Sequence, residues 1–242
     1  MKKKSARLQQ MKIAVSTAGF IAGRSGSRYR LAACLTVFAF LLFAPCTLAA
    51  CSSGSEPVDM QGYSRSETAT DYVAIITDQD QEAIIIQLYP DTAPLTVENF
   101  KRLVGEKFYN GLTFHRVIAG SLIQGGDPSG DGTGGPGYTI KGEFSLNGIS
   151  NPLNHERGTV SMARAEDYDS AGSQFFICTS AITSLDRKYA VFGKVVAGMA
   201  AVDRISSVAN SGSPNNRPNR KQIMKEVFFV NPESETAISS TH

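Results

Sequence analysis

The run Phe114-His115-Arg116-Val117-Ile118, followed at once by Leu122-Ile123-Gln124-Gly125-Gly126-Asp127, decides how this chain is read. It sets one arginine on an alternating, β-branched, strand-like segment, with an amide and two glycines close behind. A guanidinium never loses its proton, so it cannot act as a base; it must donate hydrogen bonds or supply fixed charge. Taken alone, an arginine that closes a barrel end by ion pairing would fit the same pattern. Gln124 and the run Phe175-Phe176, in register with it, favour an arginine that does chemistry.

Outward from that segment, the rest of the chain divides unevenly. Residues 1–30 hold eight Lys or Arg and no acidic residue, and the apolar stretch Leu31 to Ala44 follows. It ends in Leu48-Ala49-Ala50-Cys51. A basic region, a short apolar core and small residues at a cleavage point make a secretory signal over residues 1–50. The cysteine after Leu-Ala-Ala resembles the lipobox of bacterial lipoproteins, which implies lipidation at Cys51 and an extracytoplasmic protein anchored to a bacterial membrane. An uncleaved anchor is the alternative, but the apolar run is short of the roughly 20 residues a spanning helix needs. Without the eight basic residues, 16 basic face 22 acidic ones. That mildly acidic balance, with no basic cluster, gives no reason to propose nucleic acid as a partner. Cys34 and Cys46 leave with the signal, so Cys178 is the one thiol left to the folded part, and no internal disulfide is possible. It sits in an apolar run and is expected to be a buried structural thiol.

Residues 51–70, rich in Ser, Gly, Glu and Thr, read as a flexible tether; residues 71–231 suffice for one well-cored domain, and 232–242 as a disordered tail. Strands are expected at Tyr72–Thr77, Ala83–Tyr89, Thr113–Ile118, Thr159–Ala163, Gln174–Thr179, Ala190–Val196 and Ile223–Val230. A helix from Pro94 to Val104, stopped by Gly105, should be capped by Asp91 or Thr92 and bury Leu95, Phe100, Leu103 and Val104. A second helix fits Met199–Ser206, with Val202 and Ile205 inward. Many strands with two helices suggest a mainly β protein, a closed barrel plugged by helices.

Six segments carry a resemblance: Phe114-His115-Arg116-Val117-Ile118, Gln124-Gly125-Gly126-Asp127, Gly132-Thr133-Gly134-Gly135, Ser161-Met162-Ala163, Gly172-Ser173-Gln174-Phe175-Phe176-Ile177 and Val191-Phe192-Gly193-Lys194-Val195. In this order and spacing the chain resembles the cyclophilins. The resemblance implies a closed eight-stranded antiparallel β-barrel capped by two α-helices, and cis–trans isomerisation of Xaa-Pro bonds without a cofactor. It implies that Arg116 and Gln124 are catalytic, Arg116 donating to the proline nitrogen and Gln124 orienting it. It places substrate contacts at Phe114, Leu122, Gly132, Ala163, Arg164, Gln174, Phe175, Phe176, Leu185 and Tyr189. The expected partners are proline-containing unfolded or secreted proteins, with the membrane reached through the lipid; a monomer is expected.

Physical chemistry supports that role independently of the resemblance. Amide resonance imposes a rotation barrier of about 18–20 kcal/mol. In the twisted transition state the proline nitrogen becomes pyramidal and offers a lone pair, so a donor aimed there stabilises the twisted state over both planar ones. An arginine serves better than a histidine, whose charge varies with pH. Phe175 and Phe176 are adjacent on a strand, so one can line a pocket while the other fills the core.

Other readings are weaker. Gly130-x-Gly132-x-x-Gly135 matches a dinucleotide fingerprint, but Pro136 and Gly137 stand where a helix should open. Ser173 lacks a nucleophile elbow, and three scattered histidines show no metal-ligand spacing. His115 is expected to be a hydrogen-bonded structural residue, and His155 to serve at the surface or as a cap, with a substrate contact as the alternative. The chain also departs from the family: Ser121 stands for a usual Phe, Ser184 for a common Trp that contacts cyclosporin, Tyr189 for a His and Arg164 for an Asn. Reduced catalytic efficiency and poor cyclosporin binding are expected, and a low-activity chaperone or peptide-binding module is the alternative function. A third reading, an adhesin-like lipoprotein, has no dedicated adhesion domain to support it.

Overall fold

A computed structural model describes residues 57–80 and 82–233. Residues 1–50, where a signal is expected, Cys51 and the tail from residue 234 onward lie outside the described residues. Nine strands and two α-helices follow in the order β1 (Tyr63–Arg65), β2 (Tyr72–Thr77), β3 (Ile84–Leu88), α1 (Pro94–Gly105), β4 (Thr113–Ile118), β5 (Leu122–Asp127), β6 (Thr159–Met162), β7 (Phe175–Cys178), β8 (Val191–Ala197), α2 (Met199–Ser206) and β9 (Met224–Pro232). They form one antiparallel sheet in the order β1-β9-β2-β3-β8-β6-β7-β5-β4.

Two expectations change here. The sheet has nine strands rather than eight, and its hydrogen-bond ladder is not closed: β4 meets the chain leading into β9 at the isolated Thr113–Ile223 bridge and through a bond from the Val117 N–H to the Asn216 carbonyl, not as a continuous strand pair. The extra strand is β1, which pairs with Val230 to Pro232 of β9 and occupies the edge there. It lies in residues read above as tether. The physical cause is visible in β2 and β3, whose runs Val73-Ala74-Ile75-Ile76 and Ile84-Ile85-Ile86 are buried on both faces. Val73, Ile75, Ile84 and Ile86 face the main core, while Ala74, Ile76 and Ile85 form a second apolar layer. Val58, Met60 and Tyr63 cover that layer. A continuous apolar strand needs cover on both sides, and the segment before β2 supplies it. Gln61 fastens the cover, donating to the Ala83 carbonyl at 2.9 Å and accepting from the Gly198 N–H at 3.1 Å.

The main core is knotted by aromatic rings. Phe100 of α1 lies 5.1 Å from both Tyr109 and Phe192 and 5.5 Å from Phe175, centroid to centroid. Each such ring removes enough apolar surface to contribute roughly 3 kcal/mol. Helix α1 is not capped by Asp91 or Thr92. Its first turn donates to a carboxylate distant in sequence: Glu143 accepts from the Leu95 and Thr96 N–H groups at 3.1 and 2.7 Å and from the Thr96 hydroxyl at 2.7 Å. The negative charge suits the positive end of the helix and satisfies its orphan donors. Phe100, Leu103 and Val104 are buried as expected, but Leu95 is 47% exposed, on the solvent side of that first turn. Helix α2 buries Val202 and Ile205.

Candidate active site

Strands β4 and β5 form a hairpin that sets Arg116 directly opposite Gln124. The pairing slips between Phe114 and Arg116, leaving His115 without a partner in the ladder. A bulge of this kind re-aims side chains. Phe114 and Val117 turn into the main core, whereas Arg116 emerges half-buried beside Gln124. The substrate contact expected at Phe114 is therefore corrected: that ring is 1% exposed and stands 6.2 Å from Phe175 in the core.

From Arg116 a chain of amides runs across the sheet. Its guanidinium donates to Gln124 Oε1 at 3.3 Å. Gln124 Nε2 donates to Gln174 Oε1 at 3.0 Å, and Gln174 Nε2 donates to the carbonyls of Gly132 and Gly134 at 3.1 and 2.8 Å. Each amide is thereby fixed in orientation. The glycine loop is held in turn by Asp127, whose carboxylate accepts from the N–H groups of Ser129, Asp131 and Gly132 at 2.8, 2.9 and 2.6 Å. At Gly134 a Cβ would collide with that carboxylate, so only glycine permits the approach. Gln124, Gly132 to Gly135, Ala163, Arg164 and Gln174 line one continuous cleft. Among the described residues, no carboxylate pairs with Arg116 and Gln124 is its one side-chain acceptor. Most of its five N–H donors are thus uncommitted.

Beside the guanidinium lies an apolar cluster. Phe176 pairs in register with Gln124, and packs with Leu122 and Cys178 against Ile118, Ala163, Ile182, Leu185 and Tyr189. Five of the expected contacts, Leu122, Ala163, Phe176, Leu185 and Tyr189, meet in this one cluster. Phe175 does not: it points the other way, fully buried in the main core, as strand alternation requires. Cys178 is buried, and desolvation pushes its thiol pKa up to about 12, which keeps it protonated and inert.

Arg164 is engaged structurally. Its guanidinium donates to the carbonyls of Lys188, Ala165 and Glu166 and lies 4.7 Å over the ring of Tyr189. It ties the loop after β6 to the loop before β8 and steadies the rim of the cleft. Tyr189 thus stands in the apolar cluster with a cation at its back.

His115 is the buried structural residue expected but lacks the expected hydrogen bonds, whereas His155 is not at the surface. Neither His115 ring nitrogen has a hydrogen-bond partner that satisfies it, and desolvation lowers its pKa, opposed in part by Asp127 and by the main chain at Thr113. His155 is 1% exposed, with Nδ1 at 3.0 Å from Asp186 and Nε2 at 3.1 Å from the Ser161 hydroxyl, and its ring stacks on Phe176. Its polar sequence neighbours gave no sign of this. Ser161 lies in one of the motifs quoted above, whereas nothing local marks Asp186.

Comparison with known proteins agrees with this geometry. Residues 72–227 match the family model described as cyclophilin type peptidyl-prolyl cis-trans isomerase/CLD. Peptidyl-prolyl cis-trans isomerase B of Bacillus subtilis is 50% identical over 129 residues, spanning 53% of this chain and 87% of the relative. A peptidyl-prolyl cis-trans isomerase of Helicobacter pylori is 44% identical over 153 residues, 62% of this chain and 90% of its own length. The crystal structure of a Cryptosporidium parvum cyclophilin type isomerase, determined in the presence of the dipeptide Ala-Pro, superposes with a TM-score of 0.59 at 30% identity, covering 65% of this chain and 98% of that one. Strand β1 precedes the matched region. With the arginine–amide chain, the adjoining apolar cluster and these relatives together, the chain belongs to the cyclophilin family and is a peptidyl-prolyl cis-trans isomerase.

Proposed function

We propose that Arg116 lowers the isomerisation barrier by donating to the proline nitrogen as the Xaa-Pro amide twists. The proline ring rests on Phe176, Leu122 and Leu185, where its burial fixes one side of the rotating bond. The supporting observation is a half-buried guanidinium with uncommitted donors, oriented by Gln124 and adjoining an apolar cluster. A planar amide holds its nitrogen lone pair in resonance, so the donor gains most at the twisted geometry; no proton moves and no covalent bond forms. The chain before the proline lies extended in the cleft toward Gly132 and Gln174. There it meets the main chain at Ala163 and Arg164: the Ala163 N–H is already given to the Gln174 carbonyl at 2.8 Å, which leaves the Ala163 carbonyl and the Arg164 N–H for substrate.

The clients are secreted or envelope proteins in the course of folding, reached from a membrane to which a lipid on Cys51 holds the enzyme. The basic and apolar stretch before Leu48-Ala49-Ala50-Cys51 supports this placement. The half-buried Ser121 at the β4–β5 turn favours a second reading, a low-activity module that holds proline-containing chains, because a hydroxyl stands there in place of an aromatic wall.

The deciding experiment follows isomerisation of an Xaa-Pro peptide by the full chain in detergent, with Arg116→Ala in parallel. Acceleration that collapses in the variant establishes the arginine's role. Equal acceleration by both would overturn it, and a folded wild type that binds the peptide without accelerating it would establish the holding module. Incorporation of labelled palmitate into the wild type but not into Cys51→Ala tests the anchor.

A further inference from the structure

Behind the apolar cluster, Asp186, His155 and Ser161 stand in a row. Asp186 Oδ1 accepts from the His155 main-chain N–H at 2.8 Å and lies 3.0 Å from His155 Nδ1. With Nδ1 donating to that carboxylate, Nε2 is the acceptor for the Ser161 hydroxyl at 3.1 Å. The arrangement has the order of a hydrolase triad, but Ser161 is fully buried in β6 and can attack nothing. The row has another consequence. Ser161 is the register partner of Phe176, and the imidazole lies nearly parallel to the Phe176 ring, 5.7 Å between centroids and 17° between planes. Tyr189 closes the third side, edge-on to both rings at 6.4 and 5.7 Å.

We propose that His155 is a positioning residue for the proline pocket: pinned at both ring nitrogens by Asp186 and Ser161, it fixes the plane of Phe176 against which the substrate proline packs. This rests on the reading of Phe176 as the floor of that pocket. Two hydrogen bonds at opposite ends of a buried imidazole leave it no rotation, so the stacked ring inherits a single orientation. A pocket whose floor is already set pays no ordering cost when the substrate arrives. The effect belongs to binding, whereas the charge that stabilises the twisted amide sits on Arg116. His155 therefore acts on KM and leaves kcat largely alone.

The test compares kcat and KM for an Xaa-Pro peptide in the full-length wild type, His155→Ala, Asp186→Ala, Asp186→Asn and Phe176→Ala, with each thermal midpoint recorded. An aligned aromatic contact of this kind corresponds to about a five- to tenfold rise in KM for His155→Ala, with kcat changed less than about twofold. Asp186→Ala should move KM the same way by a smaller factor. Asp186→Asn, which keeps an oxygen facing His155, should restore it, a rescue that loss of general stability would not give. KM unchanged in folded His155→Ala and Asp186→Ala, while Phe176→Ala raises it, overturns the inference and leaves the pocket intact. KM unchanged in Phe176→Ala overturns the pocket reading itself. Should His155→Ala not fold, the Asp186 pair decides alone: KM raised in Asp186→Ala and restored in Asp186→Asn supports the inference, and KM equal to wild type in both overturns it.

Discussion

Arg116 and Gln124 face each other across the β4–β5 hairpin, and the 3.3 Å bond between them leaves the guanidinium both oriented and available. A buried ion pair would have oriented it too, but a carboxylate would compete with the proline nitrogen for its donors. A neutral amide orients the group without spending its charge.

Replacing Arg116 removes one directed donor from the transition state. Donors of this type contribute about 2.7–4 kcal/mol, so Arg116→Ala should lower kcat by roughly 10²–10³-fold with KM nearly unchanged. Arg116→Lys keeps the charge but not the planar fork, and should recover only part of the loss. Steady-state isomerisation kinetics decide; a kcat loss of less than about tenfold in the alanine variant would contradict the mechanism.

The Gln174 side chain makes no hydrogen bond to Arg116, yet it joins the amide chain to the glycine loop. Gln174→Ala frees Gln124 Nε2 and two carbonyls at a stroke. One net hydrogen bond of about 1 kcal/mol in the catalytic geometry predicts a kcat/KM about five- to tenfold lower. The thermal midpoint should shift little, because the residue lies at the half-buried rim.

How much of this was legible in the sequence depended on whether the cause was local. Strand β4 and helix α2 have the boundaries expected from their patterns, Thr113–Ile118 and Met199–Ser206, because periodicity and flanking breakers are local signals. The sequence pattern does not mark β5 as a strand, since Gly125 and Gly126 weaken it. At Gly126, with φ of +84°, a Cβ would strike the Ser173 carbonyl, a constraint imposed by the segment that leads into β7. The bulge that sends Phe114 inward, the Glu143 cap on α1 and the burial of His155 are all long-range facts. Alternation alone puts Phe114 and Arg116 on one face; only the register slip separates them.

Strand β1 should matter for stability and not for catalysis. Tyr63 covers the second apolar layer and lies 5.7 Å from the ring of Tyr72, while the cleft belongs to other strands. Tyr63→Ala should therefore cost about 1–3 kcal/mol in chemical denaturation, a partly buried ring costing less than a core one. Its kcat and KM should match wild type. Loss of activity in a folded Tyr63→Ala protein would show that the N-terminal cover reaches the site.

Two histidines held neutral by burial give stability a pH dependence. The folded pKa values of His115 and His155 are lowered, desolvation being the largest cause for both; for His155 the Asp186 contact opposes it. The unfolded chain therefore binds protons first as pH falls through about 6.5, and stability drops from there down toward the folded values. The thermal midpoint should decrease between pH 7 and pH 5. His115→Leu removes two unpaired buried nitrogens, so it should hold or raise the midpoint at pH 7 and flatten this decline. A steeper decline in the variant would mean that His115 is charged in the folded protein.

Ser121 offers the clearest gain of function. Its main chain is tied at both ends, the N–H donating to the Ile118 carbonyl at 3.0 Å and the carbonyl accepting from the Thr179 N–H at 2.7 Å. A larger side chain can therefore be installed without moving the turn. Its neighbour Leu122 already belongs to the apolar cluster, so a ring at 121 would extend that cluster toward the substrate. Burying a further 30–50 Å² of substrate surface is of order 1 kcal/mol, about a fivefold gain in kcat/KM for Ser121→Phe. Cyclosporin inhibition measured on the same variant separates the two departures. Ser184 is exposed on the turn at Thr183–Leu185 and would still lack the aromatic contact. Inhibition should thus stay weak in Ser121→Phe and strengthen only when Ser184→Trp is added. Strong inhibition of the unaltered chain would show that neither serine limits the pocket.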